Sequence, residues 1–218
     1  MATTLMTYAG PAEPDALVTR TGGVPLAPAG TAWPTCAECG GPMQFLAQVL
    51  LDDRARPTVR ADGRAELVLA VFMCQTDPGM CEAWSATDGA NAAFLLPAEG
   101  LAPLSAPAVE DEEVLYLGAA NAVGLTDSSL DDYDGARQEW GRGDGREVLH
   151  VLGRLGGRPD WLQGDETPSC GGCGRDMDLV AQFEEGPHHA TAMNFGGCGM
   201  AYAFACGPCR EAAFLWQC

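Results

Sequence analysis

Apolar residues along this chain fall into short runs separated by polar, Gly- and Pro-rich stretches, a pattern that reads as strands and turns. Met43–Leu51 and Glu66–Cys74 predict a hairpin around a charged loop at 52–63 that carries Arg54, Arg56 and Arg60. Ala92–Leu96 predicts another strand, stopped by Pro97, and Val114–Leu117 a short one. Met177–Phe183, Met200–Cys206 and Ala212–Trp216 complete the set. The best helix candidate is Ser128–Trp140, with Asp127 or Ser128 as its cap and acidic residues in its first turn. Gly135 inside it weakens the helix.

The strands repeat. Gly22-Gly23-Val24-Pro25 stands against Gly156-Gly157-Arg158-Pro159 at an offset of 134. Pro34, Cys36, Cys39, Gly40, Met43, Ala47 and Gln48 meet Pro168, Cys170, Cys173, Gly174, Met177, Ala181 and Gln182 at the same offset, without a gap. Further on the offset becomes 132, where Phe72 and Cys74 meet Phe204 and Cys206 and Trp84 meets Trp216. Register kept over so many Gly, Pro, Cys and Trp positions is an architectural signal. It divides the chain into a poorly ordered leader at 1–19, a first repeat at 20–97, an acidic linker with a strand and a helix at 98–147, and a second repeat at 148–218. The fold class expected is mainly β (α+β), with internally duplicated antiparallel sheets. The repeats should superpose around a shared core at Leu46, Val71, Val180 and Tyr202, with the linker lying across one side.

Each repeat opens its hairpin with a Cys-x-x-Cys turn, Cys36 with Cys39 and Cys170 with Cys173. Two thiols on a tight Gly turn present both sulfurs to one point, and a second pair on the returning strand completes a tetrahedron around Zn²⁺. The second pair is Cys206 and Cys209 in the second repeat, and Cys74 and Cys81 in the first. The fourth cysteine of the first set comes seven residues after the third, against three in the second set. A hairpin with thiols at both ends of its strands has the plan of a zinc ribbon. Four thiolates leave no open position for water, so two structural zinc ions are expected. Cys198 reads as a small apolar packing residue, Cys218 as a free thiol, and His188 and His189 as exposed turn residues.

Charge adds a partner class. Thirty acidic residues face twelve basic ones, all Arg, for a formal net charge of −18 in 218 residues. Such a field repels nucleic acid and attracts basic proteins, so a basic protein or peptide is the expected partner. Plain solubility is the competing explanation. Glu110–Glu113, with Asp131, Asp132 and Asp134, is the acidic surface expected to meet it. Residues 1–20 carry neither the basic n-region nor the apolar h-region of a signal peptide. No apolar run approaches the ~18 residues of a membrane span, so no membrane association is expected. A cytoplasmic protein follows, and in a reducing compartment paired cysteines are metal ligands before they are disulfides.

No Ser/His/Asp or carboxylate-pair constellation presents itself, and no His-x-Glu accompanies a Pro-Cys-x-x-Cys, so no enzyme is expected. The enzymatic alternative is a thiol–disulfide oxidoreductase using Cys206 and Cys209, because Cys-Gly-Pro-Cys has the residues of a thioredoxin centre. In that fold the motif opens a long helix, whereas the nine residues after Cys209 read as a strand.

Leu155-Gly-Gly-Arg-Pro-Asp-Trp-Leu-Gln163, followed by Cys170, Cys173, Met177 and Gln182 and an aromatic end at Phe214-Leu-Trp-Gln217, resembles the programmed cell death protein 2 family and its bacterial YwqG-like relatives. The resemblance runs from about Thr21 onward. Ala27 stands where the first repeat would carry the counterpart of Trp161. The resemblance implies a duplicated antiparallel β protein that is not an enzyme. It also implies a chaperone-like role toward a newly made basic ribosomal protein, with an immunity factor as another binding role.

Overall fold

In the computed structural model, which describes residues 2–52, 66–76, 80–108, 115, 117–187 and 193–218, ten strands form one antiparallel sheet. In chain order the elements are β1 (Thr3–Pro11), β2 (Arg20–Thr21), β3 (Leu26–Ala27), β4 (Gln44–Leu51), β5 (Leu67–Met73), β6 (Asn91–Pro97), β7 (Ala102–Pro103) and β8 (Asn121–Ser128). Helix α1 (Tyr133–Gly141), a 3-10 turn (Val148–His150), β9 (Val151–Leu155), β10 (Asp178–Phe183), β11 (Met200–Cys206) and β12 (Glu211–Gln217) follow. The sheet order is β12-β11-β10-β9-β1-β8-β2-β4-β5-β6, and β3 pairs with β7 in a small second sheet. The sheet curls until its end strands, β12 and β6, pack against each other without ladder bonds. Between its halves lies one core holding Phe45, Leu69 and Val71 from the first and Val180, Phe183 and Phe214 from the second.

The duplication is visible bond by bond. A bulge interrupts β4 against β5 between Phe45 and Ala47, and another interrupts β10 against β11 between Leu179 and Ala181, 134 residues on. The carbonyl of the bulged residue, Leu46 or Val180, accepts from Gly22 N (3.0 Å) or Gly156 N (2.7 Å). Next to it a buried Gln pairs across the ladder with a buried Arg, Gln48 with Arg20 and Gln182 with Arg154. The amide oxygen of Gln48 accepts from Leu26 N, and that of Gln182 from Asp160 N at 2.9 Å. The Gly-Gly turn wraps over the guanidinium. A Cβ on Gly157, at φ 84°, would stand 2.2 Å from Arg154 Nη2, so the second glycine is required twice, by backbone and by space. Replacing Gln182 with Leu would remove the acceptor of the part-buried bond from Asp160 N. A hydrogen bond of this kind contributes about 0.5–1.5 kcal/mol, so Gln182→Leu should lower the urea midpoint with an unchanged m-value.

Four expectations need correction. Residues 3–11, expected within a poorly ordered leader, form β1 at the middle of the sheet, paired with β8 on one side and β9 on the other. Thr3, Leu5, Met6 and Thr7 are all buried in the strand, and Pro11 ends it where the register slips. The linker does not simply lie across one side, because β8 enters the sheet centre beside β1. The helix starts later than predicted, at Tyr133, since β8 claims residues through Ser128, and the cap is Asp132, whose carboxylate accepts from Gly135 N at 2.7 Å. Finally Trp84 is not the counterpart of Trp216, because it lies in the loop before β6 whereas Trp216 is within β12. Leu46, Val71 and Val180 share the main core as expected, while Tyr202 belongs to a second cluster with Phe204 and Leu215. Of the predicted strand at 114–117 only Leu115 and Leu117 are described, and neither is in a strand; the acidic run at 110–113 and most of the loop at 52–63 lie outside the described residues, as do His188 and His189.

Candidate metal centres

Each Cys-x-x-Cys turn is closed in the same way. Cys36 N donates to Gly41 O (2.9 Å) and Gly40 N to Cys36 O (3.0 Å), while Cys170 N donates to Arg175 O and Gly174 N to Cys170 O, both at 2.8 Å. Gly40 and Gly174, at φ 73° and 68°, supply the left-handed residue that brings the chain back. Met43 N and Met177 N then bond Pro34 O and Pro168 O at 2.9 Å, launching β4 and β10 directly from the turns. The partner thiols arrive at the ends of the returning strands, on Cys74 just after β5 and Cys206 as the last residue of β11.

Thiols Cys36, Cys39, Cys74 and Cys81 lie within 4.8 Å of one another, as do Cys170, Cys173, Cys206 and Cys209. Cys39 Sγ is 3.6 Å from Cys74 Sγ, and Cys173 Sγ is 3.8 Å from Cys206 Sγ. A tetrahedron with metal–sulfur bonds of ~2.3 Å has edges of about 3.8 Å, so both sets have the spacing of a four-thiolate Zn²⁺ site. All eight predicted residues are brought together in their predicted fours. Among the described residues no other such group of His, Cys, Asp and Glu occurs; Cys218 stands outside both sets as an exposed thiol, and so does Cys198, which is exposed and not the packing residue expected.

A family model described as Domain of unknown function (DUF1963) matches residues 19–205. The chain belongs to that family. A search of curated proteins found no match. The DUF1963 span takes in Arg20, both Gly-Gly turns and both Cys-x-x-Cys turns, and leaves out β1 and β12.

Electrostatics in the two centres of this DUF1963 chain favour a cation. Burial pushes Cys81 up, and the hydrogen bond that the Cys209 thiol donates to Cys170 raises Cys209 to about 12. Cys173 falls to about 6 because the Arg175 side chain bonds its sulfur. Four crowded thiols cannot all ionise side by side unless a positive ion sits among them, which is what a divalent metal supplies.

The two centres differ around that common plan. Cys209 sits on a tight turn, Gly207 to Arg210, in which Arg210 adopts φ 54°. Glu211 follows and its Oε2 accepts from Cys170 Sγ at 3.3 Å. In the first centre Cys81 comes from a longer loop that Ala37 N ties down through Gly89 O at 2.9 Å. Asn91 holds the same loop, donating to the carbonyls of Ala83 and Ser85. Aromatic cover also differs. Trp161 lies on Tyr202 and Phe204, with ring centroids 4.4 and 5.9 Å away. The first half, with Ala27 at the equivalent position, covers Phe72 with Trp33 instead, 6.0 Å away and edge-on.

Sequence reasoning missed Arg20 and Arg154, Asn91, Arg175 and Glu211. The Arg pair obeys the offset of 134 and was legible there. The true counterpart of β12 was legible too, since Ala92-Ala-Phe-Leu recurs as Ala212-Ala-Phe-Leu at an offset of 120.

Proposed function

We propose that this chain is a non-catalytic, zinc-stabilised protein-binding module of the cytoplasm that takes a basic polypeptide. Two four-thiol sets, each placed where a hairpin leaves the sheet, support the reading most directly, because closed sites brace a scaffold and leave no coordination position for a reaction. The net charge of −18 supports a basic client. The resemblance to programmed cell death protein 2 and YwqG-like proteins points to a chaperone-like hold on a basic ribosomal protein, with an immunity factor as the other form such a module takes. For the oxidoreductase alternative, Cys206 and Cys209 would have to cycle through a disulfide. Both thiols also lie within 4.8 Å of those of Cys170 and Cys173, which favours a metal. Among the described residues no helix is long and apolar enough to cross a membrane. Affinity purification from the native cell at low and moderate salt tests the proposal. One basic protein recovered in stoichiometric amount, and lost when Glu110–Glu113 is changed to Ser, is the expected result; no such partner at any salt would overturn it.

A further inference from the structure

The loop that brings Cys81 to the first centre does more than deliver a thiol. It exposes Met80 (71%) and Trp84 (45%), two of the few large apolar side chains left open to solvent. Behind it Met73 and Ala83 line a cleft of ≈ 260 Å³ whose far wall, Gly196 and Trp216, comes from the second half of the chain. Two donors of residues that line it, Gln75 Nε2 and Trp216 Nε1, are buried and find no hydrogen-bond partner among the described residues. Buried N–H groups are rarely left unmade, so an acceptor brought to this cleft would meet donors that the described residues leave unused.

Acidic side chains accompany the loop. Glu38, Glu82 and Asp88 are exposed together, with Glu38 Oε1 accepting from Glu82 N at 2.9 Å. The loop is also held still, by Cys81 at the metal centre and by Asn91 bonding Ala83 and Ser85. A rigid aromatic knob beside a cleft, with charge around it, is the composition of a protein-docking patch.

We infer that the 80–90 loop and the cleft behind it form the docking surface for a basic segment of a partner protein. This inference rests on the proposed function and adds a specific contact to the capture expected of the acidic run at 110–113. An apolar side chain of the segment fills the cleft beside Trp216, a backbone carbonyl accepts from Gln75 and Trp216, and neighbouring Arg or Lys side chains meet Glu38, Glu82 and Asp88. Both halves of the duplicated chain are needed for the surface, since one supplies the loop and the other the cleft wall.

The probe is a fluorescently labelled peptide of alternating Arg and Leu, titrated against the full metal-loaded chain by anisotropy at low and at physiological ionic strength. Binding is expected, and Trp84→Ala and Met80→Ser should each weaken it about fivefold or more, the effect of losing a central apolar contact. Both residues are exposed, so their variants should keep wild-type metal content and far-UV dichroism. The pair Glu82→Gln with Asp88→Asn should weaken binding about tenfold and flatten its salt dependence. The pair Glu139→Gln with Asp144→Asn, which removes the same charge from the α1 side, should change it less than about twofold. Equal losses in the two pairs would mean attraction by net charge alone and would overturn the surface. Unchanged binding in both Trp84→Ala and Met80→Ser would overturn the surface while leaving the module reading intact. A wild-type chain that does not bind the peptide at low salt would sink both.

Discussion

Stripping metal from this protein is expected to unfold it. A structural four-thiolate zinc site contributes on the order of 10 kcal/mol of folding free energy, and whole domains are stable by only about 5–15 kcal/mol. Both thiol sets stand where β4, β5, β10 and β11 begin or end, so losing the ions frees the ends of the strands that carry the main core. Protein purified without added metal should contain about two equivalents of zinc. Chelation should abolish its far-UV strand signal, and acid should release the ions as the thiolates protonate. Release should be biphasic. The second centre presents an exposed Cys173 and a half-exposed Cys209, whereas the first presents only Cys39, so the second centre should yield its ion first. Cys173→Ser should therefore remove the faster phase and about half the zinc. A chain that melts at the same temperature with and without chelator, and holds no metal as purified, would refute both centres at once.

How much of this was legible in the sequence depended on whether the signal was local. The Cys-x-x-Cys turns were legible because a short Gly-containing turn fixes the thiols by itself, and the offset of 134 carried the reading from one half to the other. The strands β4, β5, β10 and β11 were legible as apolar runs because nearly every residue in them is buried. What stayed hidden was long-range. No local feature of Thr3–Pro11 tells that it pairs with Asn121–Ser128 on one side and Val151–Leu155 on the other, more than a hundred residues away. Nothing local in the sequence marks Arg20 and Arg154 for burial, yet both are buried, because each guanidinium serves as the floor of a Gly-Gly turn. Trp84 was matched to Trp216 because the first repeat spends extra residues between Cys74 and Cys81, which breaks a fixed-offset alignment, so the strand at Ala92–Leu96 was legible but its equivalence to β12 was not drawn.

The strongest test of the architecture is the strand that sequence alone placed in a leader. Deleting residues 2–11 should abolish folding, although it removes no cysteine. β1 joins the halves: Thr3 to Tyr8 pair with Ser128 to Val123 in β8, and Thr4 to Met6 pair with Leu155 to Gly153 in β9. Without it the sheet order is cut between β9 and β8, leaving two bare edges where the ladder was continuous, and bare edges promote association between chains. The deletion also strips Leu5 from its contact with Tyr133, Ala136 and Val151, and so unseats α1 from the sheet. Leu5 and Met6 are each 1% exposed, and a large-to-small change at such sites costs about 2–5 kcal/mol, so Leu5→Ala and Met6→Ala should each take away a large part of the stability. Truncated protein should be recovered insoluble, or as a species lacking slow-exchanging amides in β8 and β9. A synthetic peptide with the sequence of residues 2–11, supplied during refolding, should restore some of that protection by taking the vacated place. If the truncated chain instead melted like wild type with its two metal equivalents in place, β1 would be an appendage and the two halves would be joined by something other than this strand.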